Sequence, residues 1–314
     1  MSGVEFSLII PVKDEEAAIA PCLARVVAVL EALDDPVAHS FEILFIDDGS
    51  SDATLDMIRK ANAADPRIRA ISLSRNFGKE AALSAGLDAA RGAAVVPLDV
   101  DLQDPPEALP KMIAEWRAGY DVVCGVRDNR QTDTLPKRIT ADFYYRAHNW
   151  LSDDKIPEHA GDFRLLDRKV VEVIRRMPER NRFMKGLFAW AGFKQTAVSY
   201  HREERKHGRT KYNYWKLWTL AIDGITSAST VPLRIWSYLG GLVALGALAY
   251  ALFIIVRTLT TGIIVPGYAS LMVAILFLGG LQLLSLGVLG EYVGRILTET
   301  KGRPLYIVRE RIGD

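Results

Sequence analysis

Along the front half of the chain, short apolar runs alternate with longer stretches whose apolar residues recur at helical spacing. Apolar runs of roughly four to eight residues bounded by turn residues read as buried strands, and the longer periodic stretches as helices. Strands are therefore predicted at 6–11, 41–46, 68–73, 93–98 and 121–125. Helices are predicted at 15–33, from Asp52 to near Ala64, up to Arg91-Gly92, and at 106–117. Alternation at these lengths implies right-handed βαβ units and an α/β fold, with a mostly parallel sheet covered on both faces.

The pattern changes in the last third. Residues 235–256 and 267–290 carry no charge, and Arg257 is the only charge between Ile235 and Gly290. Each run exceeds the roughly 20 apolar residues that cross a hydrocarbon core, so two transmembrane helices are predicted. Buried helices of a soluble core are the alternative, and two long uncharged runs joined by a short loop fit it poorly. Residues 215–225 read as a helix lying on the membrane with Leu217, Trp218, Ala221, Ile222 and Ile225 facing down, or as one packed under the soluble domain. Tyr212, Tyr214, Trp215 and Trp218 suit the headgroup layer. Arg234 before the spans, and Arg295, Lys301, Arg303, Arg309 and Arg311 after them, place both termini in the cytosol. Gly240-Gly241 and Gly279-Gly280 permit close helix contact. The end of the chain is amphipathic, then strand-like at Leu305-Tyr306-Ile307-Val308. Four units follow: a cytosolic domain at 1–211, an interfacial segment at 212–234, a two-helix anchor at 235–290 and a cytosolic tail at 291–314.

Composition adds little. The 314 residues hold one large or two smaller units, and 49% hydrophobic residues suit a membrane-anchored chain. A net charge of +1 offers nucleic acid no bulk attraction. Cys22 and Cys124 lack metal-ligand spacing and fall in apolar runs, as buried thiols in a reducing compartment do. No signal peptide is expected, because the first apolar run is short and Lys13-Asp14-Glu15-Glu16 follows it.

Candidate chemistry gathers where strands end. Asp99-Val100-Asp101-Leu102-Gln103-Asp104 follows the run at 93–98, where ligands bind in open α/β sheets. Alternation puts Asp99 and Asp101 on one side and Val100 opposite. Hard oxygen donors on a short turn suit Mg2+ or Mn2+ carrying a diphosphate, and a plain polar strand end is the alternative. Asp104, followed by Pro105-Pro106-Glu107, reads as a helix cap, and so does Asp52. Other strands end in Lys13-Asp14-Glu15 and in Asp47-Asp48, whose carboxylates can accept hydrogen bonds from a ribose or base. Neither G-x-x-x-x-G-K-[ST] nor G-x-G-x-x-G occurs, so a metal on Asp101 is the natural way to neutralise a diphosphate. Residues 202–216 carry Arg202, Arg205, Lys206, Arg209, Lys211 and Lys216 against Glu203 and Glu204. Such a run is ordinarily a solvated face. Its place just before the spans suits a phosphate headgroup as well.

Several motifs together carry a resemblance. They are Ile9-Ile10-Pro11-Val12-Lys13-Asp14-Glu15, Ile46-Asp47-Asp48-Gly49-Ser50-Ser51-Asp52, Ser74-Arg75-Asn76-Phe77-Gly78-Lys79 and the stretch from Asp99 through Glu107. Farther on come Gly161-Asp162-Phe163-Arg164, Arg182-Phe183-Met184-Lys185-Gly186-Leu187 and Arg205-Lys206-His207-Gly208-Arg209-Thr210-Lys211. In their order and spacing the chain resembles the inverting family-2 glycosyltransferases of GT-A (Rossmann-like) fold. More narrowly, it is similar to polyprenyl-phosphate glycosyltransferases related to dolichol-phosphate mannose synthase. The resemblance implies that Pro11, Lys13, Glu15, Ile46 and Asp48 line a nucleotide pocket. It implies that Asp99, Val100, Asp101 and Gln103 hold diphosphate and metal (Asp99, Asp101 and Gln103 for the metal), and that Arg127, Arg205 and Lys211 answer phosphate charge. The family's usual P-T-Y-N-E opening is replaced here by Pro11-Val12-Lys13-Asp14-Glu15, which puts a Lys where an aromatic ring often stacks on the base.

The implied reaction moves a sugar from a nucleotide sugar, UDP-glucose or a related UDP-sugar, to undecaprenyl or another polyprenyl phosphate at the cytoplasmic membrane. The anomeric centre inverts and a nucleoside diphosphate leaves. Asp162 is the position that the resemblance marks as a base. A phosphate monoester has a second pKa of about 6, so it is largely ionised at neutral pH and hardly needs one. Orienting the acceptor or a sugar hydroxyl is the other role, and capping or pairing with Arg164 the structural one. Relatives of this kind also use the tail in a tetramer, so a homotetramer is expected. The competing enzyme class, family-2 synthases of growing polysaccharides, usually carries Q-x-x-R-W and more spans, where this chain reads Asn181-Arg182-Phe183-Met184-Lys185. A non-catalytic nucleotide-binding scaffold is the third reading.

Overall fold

Strands covered on both faces read as near-continuous apolar runs, and the middles of the central strands follow this. Leu8, Ile9 and Ile10 of β1 (Phe6–Val12), Ile43, Leu44, Phe45 and Ile46 of β2 (Phe41–Asp47), and Val95 and Val96 of β4 (Ala94–Pro97) are wholly buried. The structure is a computed structural model and describes residues 3–127, 160–180, 182, 184–201, 231–261 and 267–313. The remaining strands are β3 (Ile68–Leu73), β5 (Val122–Arg127), β6 (Ala160–Asp167), β7 (Gln195–Tyr200) and β8 (Val308–Ile312). Among the described residues all eight join one sheet in the order β7-β5-β6-β4-β1-β2-β3-β8.

Helices α1 (Glu16–Glu31), α2 (Thr54–Ala64) and α4 (Leu109–Arg117) cover one face through Ile19, Val26, Ile58, Met112 and Ile113. Helices α3 (Lys79–Ala89), α5 (Arg168–Arg176) and α6 (Met184–Trp190) cover the other through Ala82, Leu83, Val170, Ile174 and Phe188. The predicted βαβ run is therefore present, and β3 coincides with its expected span.

The sheet is mixed, with four of its seven described pairings parallel and three antiparallel. β1–β2, β1–β4, β2–β3 and β5–β7 are parallel, whereas β4–β6, β5–β6 and β3–β8 are antiparallel. β6 inserts between β4 and β5 in the opposite direction, and β8 runs against β3 at the edge. The buried Arg164 interrupts the apolar run of β6.

Beyond the sheet domain, α7 (Val231–Thr261) and α8 (Tyr268–Thr300) run 31 and 33 residues and contain the two uncharged stretches. Among the described residues one segment, Phe277–Thr300, is long and apolar enough to cross a membrane by length and composition. Leu242, Leu245 and Leu283 each stand at least 70% exposed on these helices, and so much outward apolar surface asks for an apolar partner. After α8 the chain returns to the sheet. The strand expected at 305–308 forms at Val308–Ile312, where it covers the edge of β3 with Ile71 opposite Arg311 and Ser72 opposite Glu310.

A buried ion pair ties the strands together at their other end. Arg69 Nη1 lies 2.5 Å from Glu42 Oε2, and both side chains are nearly excluded from solvent. Glu42 Oε1 accepts from the Ser7 hydroxyl at 2.5 Å and from Arg91 N–H at 2.7 Å, and Arg69 Nε donates to the Gly313 carbonyl at 3.3 Å. Removing one partner of such a pair leaves a buried charge uncompensated. Arg69→Met is therefore expected to cost about 3–5 kcal/mol, while the double variant Glu42→Gln/Arg69→Met recovers much of the loss. Thermal unfolding of the purified protein reads both.

Candidate functional site

Parallel pairing fixes where the strands end together. β1, β2, β3 and β4 finish at one end of the sheet, and β6, antiparallel to β4, starts there. β5 and β7, antiparallel and next in line to β6, finish there too. The topology thus brings Lys13, Asp47, Asp48, the 74–78 loop, the acid turn after β4, Arg127 and the first half of β6 to one end. The β4–β6 register pairs Ala94 with Asp167 and Val95 with Leu166.

Two loops interlock at this end. Asp47 is wholly buried, with Oδ1 accepting from Ser50 N–H at 2.9 Å and Oδ2 from the Ser72 hydroxyl at 2.7 Å. Asp48 accepts from the backbone N–H of Phe77 at 2.7 Å and of Gly78 at 2.9 Å. Burial pushes the Asp48 carboxyl up, against the pull of these two bonds and of the Lys13 charge. Gly49 has φ +69°, and a Cβ there would sit 2.6 Å from the Arg75 carbonyl carbon.

The first loop is tied into the second. Asp14, at φ +52°, accepts from Ser51 N–H at 2.8 Å, and this bond holds its carboxyl below the usual range. Asp52 is not the cap of α2, whose N-cap is Ala53 without a side-chain bond; from one residue earlier it accepts from Thr54 N–H and from Glu16 N–H, while Glu16 accepts from Ala53 N–H. Carboxylates on N-terminal turns satisfy donors that no helical carbonyl can reach.

The acid turn keeps its expected faces. Val100 is buried in the core, whereas Asp99 and Asp101 are partly exposed. Lys79 Nζ lies 2.8 Å from Asp99 Oδ1 and 3.0 Å from Oδ2. Asp101 Oδ1 accepts from Gln103 N–H at 3.2 Å across Leu102, which has φ +53°. Cys22 lies in the core nearby, and burial, followed by the Asp101 charge, pushes its thiol up to about 12. Such a thiol stays protonated and unreactive.

Several expectations change. Asp104 does not cap the turn Pro106–Ala108, which has no side-chain cap. It is buried and accepts from the Tyr200 hydroxyl instead, joining the end of β7 to the acid turn. Ile46 is wholly buried in the core beside Ile9, Ile71 and Ala82, so it presents no surface to a ligand. Pro11, Lys13 and Glu15 are partly exposed, and Glu15 N–H donates to Thr54 Oγ1 at 2.9 Å. Arg127 ends β5, and Asp162 lies on β6 with only its backbone described. Arg205, Lys211 and the helix expected at 215–225 lie outside the described residues. No sequence motif by itself assigns Lys79 a role. The signal available was its place beside Gly78, at the start of a helix facing the acid turn.

The donor set suits a divalent metal only in part. Two carboxylates and one amide are hard oxygen donors, but among the described residues no three His, Cys, Asp or Glu side chains gather as a metal site.

Comparison with known proteins follows these divisions. Residues 7–175 match glycosyl transferase family 2, and residues 231–296 match the GtrB C-terminal hairpin. A Synechocystis protein described as an uncharacterized glycosyltransferase is 52% identical, covering 99% of this chain and 96% of its own length. An Escherichia coli K12 protein, the prophage bactoprenol glucosyl transferase homolog, is 51% identical over 98% of this chain and 99% of itself. The bactoprenol glucosyl transferase of Shigella phage SfX is 50% identical over 98% and 100%.

The contact at Gly49 yields a test. Gly49→Ala puts a methyl into the Arg75 backbone and holds an L residue at positive φ, so a loss of about 2 kcal/mol or more is expected in denaturant unfolding. Gly78→Ala has open space around its Cβ, and only the backbone term remains there.

Proposed function

The chain belongs to glycosyl transferase family 2 and is a glycosyltransferase, and we propose that it transfers glucose from a nucleoside-diphosphate sugar to a polyprenyl phosphate at a membrane. The observation that carries this is the reach of the likeness. Proteins named bactoprenol glucosyl transferase are about half identical to this chain through both the sheet domain and the helical hairpin. A lipid acceptor explains why the hairpin accompanies the sugar-nucleotide domain.

In this reading residues 1–211 form the catalytic domain, 212–234 lie on the membrane, 235–256 and 267–290 cross it, and 291–314 return to the cytosolic side. UDP is favoured as the nucleotide from the resemblance of the Asp101–Glu107 stretch to bacterial relatives, and a homotetramer is kept from the same resemblance. Pro11, Lys13, Glu15 and Asp48 surround the nucleotide, with Asp48 acting through the loop it pins. Asp99, Asp101 and Gln103 would hold Mg2+ or Mn2+, whose charge would stabilise the leaving diphosphate.

The chain's own residues do the rest. Lys79 holds the Asp99 carboxylate in one orientation. Arg127, Arg205 and Lys211 supply positive charge to the donor and acceptor phosphates, so that an acceptor oxygen meets the anomeric carbon opposite the departing diphosphate. Asp162 orients the acceptor or a sugar hydroxyl, because an ionised phosphate needs no proton removed. Positioning and charge stabilisation then account for most of the rate.

The test uses membranes containing the protein, labelled UDP-glucose and undecaprenyl phosphate. A lipid-linked sugar of inverted configuration is expected, lost on chelation and reduced about 100-fold or more in Asp101→Asn. Failure of every labelled nucleotide sugar to give a lipid product, with label passing instead to a soluble glycan, would overturn the proposal.

A further inference from the structure

The C-terminal tail reaches the loops that flank the proposed donor site. Just beyond the apolar part of α8, the Glu299 carboxylate accepts from Arg180 N–H at 2.8 and 3.0 Å, and the Arg180 guanidinium donates to the Arg303 carbonyl at 2.6 Å. The Tyr306 hydroxyl then donates to Asp88 on α3 at 2.7 Å, and Ser74 N–H donates to the Ile307 carbonyl at 2.8 Å. Arg309 Nη2 donates to Ser72 Oγ at 2.9 Å and stands 3.9 Å from Asp47 Oδ2.

These contacts form an unbroken path. The Ser72 hydroxyl that accepts from Arg309 donates to Asp47, and the other Asp47 oxygen accepts from Ser50 N–H. Asp47 is fully excluded from solvent, whereas the Arg309 side chain is about half exposed. A carboxylate removed from water needs fixed hydrogen-bond donors in place of its hydration. A hydroxyl that accepts from a cation is also a stronger donor to the next group.

We infer that Arg309 is a positioning residue for the nucleotide-sugar pocket: from the tail it sets Ser72 and Asp47, and through them the 47–50 loop. The end of the helical hairpin and the donor loop are thereby one mechanical unit. This rests on the reading of the 47–50 and 74–78 loops as part of the donor pocket.

The experiment measures UDP binding in the presence of Mn2+ and steady-state kinetics, on the full chain. Arg309→Ala is expected to raise the UDP Kd and the donor KM about five-fold or more, with kcat at saturating donor within about two-fold of the unmodified protein. Arg309→Lys restores most of the affinity. Ser72→Ala breaks the same path and shifts Kd in the same direction, and the double variant is no worse than the weaker-binding single one. Ser72→Ala keeps the test should Arg309→Ala not fold. Unchanged UDP affinity in both single variants, a fall in kcat at constant KM, or additive effects in the double variant would each overturn the inference. If the unmodified protein binds neither UDP nor GDP, the donor-site reading fails and takes this inference with it, an outcome distinct from unmodified protein and variants binding equally well.

Discussion

Two successive carboxylates at the end of β2 must each find fixed donors, and the site is arranged around how they do so. Asp47 turns to its neighbour in the sheet, Ser72, and to Ser50 ahead of it. Asp48 reaches across to Phe77 and Gly78. A carboxylate bonded to two backbone N–H groups fixes the path of a loop more firmly than apolar contact can, because each bond is directional and charge-assisted. Gly49 lets the two loops approach until a side chain would not fit between them. Lys79 begins α3 immediately after the pinned residues, so the place of the ammonium that holds Asp99 follows from Asp48.

Much of this fold is legible in the sequence because strands covered on both faces are written as mostly apolar runs. That covers β1 to β5, where Ser7, Glu42 and Arg69 stand second in their strands and satisfy one another. It fails where the polar letters fall mid-strand. β6 buries Arg164 with its guanidinium over the Phe188 ring, 4.4 Å from the centroid, and the charge disguises the strand. β7 buries only Val198 and Tyr200 in a run otherwise made of small and polar residues. The acid turn was legible as chemistry, since alternation alone separates Val100 from its acidic neighbours. Its partners were not. Lys79 with Asp99 and Tyr200 with Asp104 are set by the sheet order, and no local pattern encodes that.

The hairpin and the sheet domain are less separate than a division by composition suggests. The apolar runs of α7 and α8 mark a distinct unit, yet the chain that leaves α8 completes the sheet as β8 and meets α3 through Tyr306. Edge strands left open invite pairing with other chains, and here the tail occupies that edge on β3. The tail that leaves α8 is thus bonded directly to the strand that carries Ser72.

The acid turn illustrates how a flexible-looking motif is kept rigid. Asp99 is held on one flank by Lys79 from α3, and Asp104 on the other by Tyr200 from β7. Between them Leu102 adopts φ +53°, a conformation that costs an L residue roughly 1–2 kcal/mol. Leu102 packs on the core while Val100 is buried within it, which offsets that cost and turns the intervening carboxylate outward. Asp101 and Gln103 thus sit on a turn clamped at both ends. Tyr200 is also the last residue of β7 before the basic stretch. One buried hydrogen bond therefore joins the segment that supplies negative charge to the strand that leads into the positive one.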